Sequence, residues 1–332
     1  VTIVDGEYQL LFNAPFNGSD TLALVVSNIE DLSANVLNDT IYILVPDTAQ
    51  FGELLFNEIL FDPIPDGGEY VEIYNNSEKI FDLENYWLAK LNEDKDSLVS
   101  FEIIDVSSII LPSELLLFTK YPLVTYQDYF NSNPSRFIEL SGLSKTYFTN
   151  GAETIYLLDP DSNIIDQLQY NEDMHFEIID DPSGVSLEKI NPKANSMDPM
   201  QWHSASENSG WGSPGLMNSQ NYSSNNSSST FKVETTVFSP DNDGFQDIAL
   251  FSYNLETQGF VGSIFIYDNM GRLIKIILNN ELLGNQGTAT WDGANEQGKK
   301  AGVGIYMVYF ECFNSTGTVF SNKSSITLKT RF

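Results

Sequence analysis

The segment Phe56-Asn57-Glu58-Ile59-Leu60-Phe61-Asp62-Pro63, the turn Ile64-Pro65-Asp66-Gly67-Gly68 and the run Glu69-Tyr70-Val71-Glu72-Ile73-Tyr74-Asn75-Asn76 leave few folds open. Two runs rich in β-branched and aromatic residues flank a Pro/Gly turn, which reads as a β-hairpin. Each acid sits between β-formers, so alternation can place Glu58 or Glu72 on an inner face.

At 332 residues the chain is too long for one ordinary β domain, and 42% hydrophobic content suffices for two or three separate cores. Its formal charge of −30 is unevenly spread. Residues 1–50 hold seven acids and no base, and residues 231–332 hold ten acids against eight bases, which leaves −21 on the middle of the chain. Such a field repels nucleic acid and anionic lipid head groups, since both need Lys and Arg against phosphate. The acidity reads first as a solubilising, metal-screened surface, and divalent cations are the natural partner in the alternative. No stretch has the length of a membrane span, so direct membrane insertion is not expected, and there is no signal peptide. The chain opens at Val1 without methionine, which suggests a processed or partial product. The single cysteine, Cys312, excludes an internal disulfide framework and a cysteine zinc cluster. Its apolar neighbours, Ile305 to Phe313, read as a strand with a buried, inert thiol.

Further motifs follow the hairpin. They are Asp82-Leu83-Glu84-Asn85-Tyr86-Trp87-Leu88-Ala89, Gly184-Val185-Ser186-Leu187-Glu188-Lys189-Ile190, Asp198-Pro199-Met200-Gln201-Trp202-His203-Ser204-Ala205 and Gly212-Ser213-Pro214-Gly215-Leu216-Met217-Asn218-Ser219. Together these runs resemble the lamin-tail domain, in the large variant found in surface proteins of Bacteroidota. The resemblance covers residues 51–219 and implies a fold, not a reaction.

Ahead of that region, Gly6 to Phe12, Thr21 to Val26 and Asp39 to Val45 are three β-rich runs separated by polar turns. Three strands do not close a sandwich. Residues 1–48 are similar to the end of a bacterial Ig-like module, and more such modules are expected upstream. Residues 220–230, a tract of Ser, Asn, Gln and Thr around Tyr222, bury too little apolar surface to fold and are expected as a flexible linker. From Phe231 onward alternation returns, and the runs Ser263 to Tyr267 and Leu273 to Ile277 flank Asp268 to Arg272 as a second hairpin. Phe238-Ser239-Pro240-Asp241 opens this region, and Thr290-Trp291-Asp292-Gly293 and Gly304-Ile305-Tyr306-Met307-Val308 follow. Residues 231–332 are similar to the Ig-like domain of flagellar hook-capping (FlgD-like) proteins and to C-terminal domains of type IX secretion. That resemblance implies a seven-stranded sandwich and delivery by type IX secretion. The short sorting domains usually open with Pro-Asn-Pro where this chain has Ser239-Pro240-Asp241, so a retained structural module is the alternative. The fold class expected for the whole chain is all-β, a tandem of Ig-like β-sandwiches.

Asp241, Asn242, Asp243 and Asp247 put several hard oxygen ligands within seven residues, and Gly244 permits the positive φ that would fold them round one ion. Calcium is the natural occupant, and an Asx turn that starts a strand is the alternative. Acid–base catalysis would need two carboxylates converging on one pocket, with Glu58 and Glu72 the best candidates. The corresponding acids of lamin-tail domains fit a structural role, so no catalytic residue is expected. His175 and His203 stand 28 residues apart without an H-x-x-x-H or H-E-x-x-H element, which favours structural histidines over zinc ligands. No G-x-S-x-G elbow, P-loop or dinucleotide fingerprint is present.

Thr21, Thr40, Thr48 and Ser97 each follow an aspartate and precede a small or aliphatic residue. This is the pattern at which exported Bacteroidota proteins carry O-glycans, so the four are candidate modification sites. Trp87, Trp202 and Trp211 are candidates for a glycan platform or protein interface, with core packing the alternative. These readings converge on a non-catalytic exported cell-surface protein, whose β modules serve as spacers and interaction platforms within an outer-membrane assembly for export, uptake or envelope biogenesis. The alternatives are the accessory region of a larger exported hydrolase and a carbohydrate-binding adhesin.

Overall fold

The computed structural model describes residues 2–4, 7–9, 18, 21–30, 33, 35–92, 97–144, 146–177, 179–221 and 228–330. At the N-terminal end β1 (Thr2–Val4) pairs with β2 (Glu7–Gln9), and β3 (Thr21–Glu30) pairs with β4 (Val36–Leu44), both antiparallel. Of the expected run Gly6 to Phe12, all but residues 7–9 lies outside the described residues. One face of the β3–β4 ribbon is open among the described residues, with Val25 and Tyr42 67% and 69% exposed, while Leu22, Leu24 and Val26 on the other face are half-buried. It reaches the next unit at Asp47, whose N–H donates to Ile80 O at 2.7 Å.

The expected first hairpin forms from β5 (Leu54–Leu60) and β6 (Tyr70–Asn75). After it come β7 (Phe81–Asp82), β8 (Trp87–Leu91), β9 (Leu98–Ile103), β10 (Ile109–Ile110) and β11 (Leu115–Thr119). A short helix, α1 (Pro122–Asp128), precedes β12 (Phe137–Glu139), β13 (Ala152–Leu158), β14 (Ile164–Asn171), β15 (Leu187–Lys189) and β16 (Trp202–Ser204). Proline at its first turn suits α1, because that N–H has no partner within the helix. A six-stranded sheet, β12-β11-β6-β5-β15-β16, faces a four-stranded one, β14-β13-β8-β9. Leu54, Phe56, Ile59 and Phe61 pack with Val71, Ile73, Leu157 and Leu187 between them.

One irregularity decides what the other face carries. The register slips between Phe56 and Glu58, leaving Asn57 as the extra residue of a bulge. Phe56 and Ile59 therefore share the apolar face, although strict alternation would separate them. Glu58 and Leu60 turn the opposite way, with Tyr70 and Glu72. That second face is covered too, so β5 and β6 are buried along their whole length.

The C-terminal unit comprises β17 (Thr230–Val233), β18 (Val237–Phe238), β19 (Ala249–Asn254), β20 (Phe260–Tyr267), β21 (Leu273–Leu282), β22 (Gln286–Trp291), β23 (Gly304–Asn314) and β24 (Val319–Leu328). They form sheets of three, β17-β19-β22, and five, β18-β24-β23-β20-β21. Among the described residues that is one strand more than the resemblance implied, counting the two-residue β18. The core between them is aromatic: Phe310 stacks on Phe231 at 4.8 Å and on Tyr253 at 5.8 Å, and Trp291 and Phe238 fill one end. Burying each such side chain contributes about 1.5–3 kcal/mol. Cys312 lies in this core, where burial pushes its thiol up to about 12.

Candidate functional site

Three glutamates stand side by side across three strands. Glu72 on β6 pairs with Glu58 on β5, and Glu58 pairs with Glu188 on β15. None has any exposed surface. Glu58 Oε1 accepts from Tyr70 OH and Ser186 Oγ, each at 2.6 Å, and from Ser213 N at 3.0 Å. Glu72 accepts from Asn57 Nδ2 at 2.7 Å and Gly215 N at 2.6 Å. Glu188 accepts from Ser219 Oγ at 2.7 Å and Gln220 N at 3.0 Å. The run 213–220 is thus pinned onto the sheet by carboxyl oxygens.

Ser213 Oγ lies 2.6 Å from Glu188 Oε1 and 3.2 Å from Glu58 Oε2. A hydroxyl has one hydrogen, so it can donate to only one of the two carboxyl groups. The other contact needs a proton on the glutamate. Burial raises Glu58, and burial with the neighbouring Glu58 charge raises Glu72 well above the usual carboxylate range. The same two causes push Glu188 up to about 7. The two best catalytic candidates from the sequence, Glu58 and Glu72, do stand side by side, and Glu188, which sequence reasoning did not single out, completes the row. These oxygens hold a loop and offer no face to solvent.

The pinned loop carries the junction between the two sandwiches. Ser219 O accepts from Asn285 N at 3.0 Å, Gln220 Nε2 donates to Leu283 O at 3.4 Å, and Asn208 Nδ2 donates to Tyr253 OH at 3.2 Å. Gly284 is required at this approach, since a Cβ there would lie 2.5 Å from Ser219 O. Gln220, expected to open a flexible linker, is buried between Glu188 and Leu283, where its backbone N–H and its Nε2 find partners and its Oε1 finds none among the described residues. Residues 222–227 of that linker lie outside the described residues.

Asp241, Asp243 and Asp247 bring carboxylate oxygens within 4.8 Å of one another. Asp247 accepts from Asn242 N at 2.6 Å and Gly244 N at 2.8 Å, and Asp243 accepts from Phe245 N at 2.9 Å. Positive φ at Asn242 and Gly244, +62° and +88°, closes the turn. The loop has Asx-turn geometry and also the oxygens that a hard cation would use.

His175 Nδ1 lies 3.0 Å from Ser204 Oγ and His203 Nδ1 lies 3.0 Å from Ser204 O. Burial holds His175 down to about 4 and lowers His203. Trp202 is buried with Nε1 donating to Ser196 O at 2.9 Å, while Trp87 and Trp211 are half-buried. Behind Trp202, Lys189 is also buried and donates to Ser196 Oγ at 2.8 Å, and Ser196 in turn donates to Asp166 at 2.6 Å. Thr21, Thr40, Thr48 and Ser97 are exposed.

Residues 47–172 match the lamin tail domain. The sandwich runs past the end of that match, because β15 and β16 complete its six-stranded sheet. No curated protein sequence matches the chain. Among solved structures, PorZ of Porphyromonas gingivalis, a surface component of the type-IX secretion system, is 12% identical over 95% of this chain and 44% of its own, with a TM-score of 0.23. Dimeric latent PorU of the same organism is 11% identical over 93% of this chain and 24% of its own, with a TM-score of 0.24. FlgD of P. aeruginosa is 18% identical over 24% of this chain and 62% of its own, with a TM-score of 0.21. The chain spans less than two thirds of each, and TM-scores this low carry no argument about role. Among the described residues, no helix is long and apolar enough to cross a membrane.

Proposed function

We propose that this is a non-catalytic, exported cell-surface protein, in which joined β-sandwiches act as a spacer and interaction platform within an outer-membrane-associated assembly. The observation that carries the reading is the junction: Glu188 holds Ser219 and Gln220, and these hold Asn285 and Leu283 of the second sandwich. Hydrogen bonds at a shared, buried seam set one module against the next, as a spacer requires. The lamin-tail match and the closure of Glu58, Glu72 and Glu188 to solvent favour presentation of surface over chemistry. Exposed Thr21, Thr40, Thr48 and Ser97 suit O-glycosylation during export. Delivery by type IX secretion is assigned to residues 231–332, on their motif resemblance. The test is deletion of residues 231–332 in the native host, followed by surface proteolysis of intact cells. Loss of surface-accessible protein is expected, and an unchanged surface population would refute the assignment.

A further inference from the structure

Strand β22 is an edge without the usual protection. Among the described residues it pairs with β19 alone, in continuous register from Gln286 to Trp291. Leu255 N–H donates to Asn285 O at 2.6 Å, so the odd-numbered residues of β22 bond towards β19. Glu234 N–H donates to Leu250 O, which turns Leu250 away from its partner Thr290. By the alternation of an antiparallel ladder, Gln286, Thr288 and Thr290 then turn their N–H and C=O groups outward. A 3.5 Å contact from Asn208 Nδ2 to Thr288 O agrees. Natural edges are blunted by Lys, Pro or bulges, and Gln286-Gly287-Thr288-Ala289-Thr290-Trp291 has none of these.

This edge opens into a cleft of about 660 Å³ between the two sandwiches. Across it stand Phe130, 75% exposed, and Met217, 56% exposed. The Phe130 ring is seated against Gly210, where a Cβ would lie 2.5 Å from a ring carbon, so one face is fixed and the rest is open. A fixed ring beside a flexible thioether suits an apolar side chain. Among the described residues none that lines the cleft is charged, in a chain of net charge −30.

We propose that this cleft takes an extended peptide segment of a partner protein as an added strand on β22, with an apolar residue against Phe130 and Met217 and basic residues at its flanks. Main-chain bonds to Gln286, Thr288 and Thr290 supply affinity, and the Phe130 wall supplies selectivity. Glu207, exposed between the lining residues Ser206 and Asn208, draws basic flanks, and the uncharged lining accepts a neutral centre. The proposal rests on the reading of the protein as an interaction platform, and its binding test is independent of the export test.

The experiment is selection of a displayed random decapeptide library against the full chain, then hydrogen exchange of the chain with the synthesised winners. Enriched peptides should alternate apolar and polar residues between Lys or Arg, and should slow exchange at Gln286, Thr288 and Thr290. Phe130→Ser should weaken them about tenfold or more, as loss of a central anchor does. Thr288→Pro should abolish binding while the melt is retained, since that N–H points away from the sheet. If Thr288→Pro fails to fold, Phe130→Ser decides alone. No enriched peptide, affinity unchanged in Phe130→Ser, or slowing by neutral oligosaccharides in place of peptides would each overturn the proposal. So would self-association of the chain that the same variants remove, which would make the occupant a second copy.

Discussion

Between Leu54 and Gln220 the protein closes a sandwich over ionisable side chains, among them Glu58, Glu72, Asp166, Glu188 and Lys189. Beyond residue 230 the buried polar side chains, among those described, are Ser239, Ser263 and Asn285. The second unit is held by stacked aromatics, which need only volume and shape. The first uses carboxyl oxygens to hold a loop that contributes few apolar contacts of its own, and the register of that loop then fixes the junction. A buried polar network of this kind specifies one arrangement at the risk of large losses when one member is removed.

The largest effect should come from breaking that network. Glu58→Ala removes the acceptor for Tyr70 OH, Ser186 Oγ and Ser213 N. At about 1–3 kcal/mol for each buried donor left unpaired, the first unit should lose about 4 kcal/mol or more. Phe310→Ala in the second core should cost about 3–5 kcal/mol and leave the first transition in place. Denaturant titration followed separately in the two units checks both. A Glu58→Ala midpoint equal to the wild type would mean that the carboxyl row does not hold the loop.

A subtler difference lies in pH. Glu188, raised to about 7 from 4.5, keeps its proton when folded over a range where the unfolded chain has released it. Its contribution is fully present below about pH 4.5 and is lost as pH rises through 7, about 3 kcal/mol in all by linkage. Glu58, Glu72 and Glu69, the last also near 7, act in the same direction. His175, held down to about 4, and His203 oppose them below about 6.5, and Lys189, lowered to about 7, opposes them from there to about 10.5. Subtracting the pH profile of Glu188→Gln reads Glu188 together with its coupling to the neighbouring Glu58. The stability difference, wild type minus variant, should fall by about 3 kcal/mol between pH 4.5 and 8. A constant difference would remove Glu188 from the titrating row. The second unit, where partial burial raises Glu281, should change far less.

How far the sequence foretold this contrast depends on the element. Both hairpins were legible, because Ile64 to Gly68 and Asp268 to Arg272 carry turn chemistry between runs of β-formers. The bulge at Asn57 was not, since a register slip leaves no compositional trace, yet it sets Glu58 beside Glu72. Glu188 looked like one acid among 46, and only strand order places it next to Glu58. Polarity made Gln220 resemble a linker, although its burial comes from partners 32 and 63 residues away in sequence. The alternation of β3 reads as a half-buried strand, but pattern alone cannot say whether a second layer exists.

The smallest expected effect would narrow the contrast by giving the second unit an ionic element of its own. Asp241, Asp243 and Asp247 converge within 4.8 Å at the start of that sandwich, and their present partners are backbone N–H groups of the same turn and the Ser239 hydroxyl. A calcium ion would have to share these oxygens, so affinity should be weak, on the order of 10⁻⁴–10⁻³ M as in extracellular modules. At calcium about tenfold above that range, mass action adds about 1.4 kcal/mol, enough for a shift of several degrees in a unit of this size. The shift should appear in the second transition alone and vanish in Asp243→Asn. Asp247→Asn is the poorer variant, because it also disturbs the bonds to Asn242 and Gly244 that shape the turn without any metal. Identical melts with calcium and with chelator would leave the three aspartates as a turn, and the second sandwich as a fold that aromatic packing explains by itself.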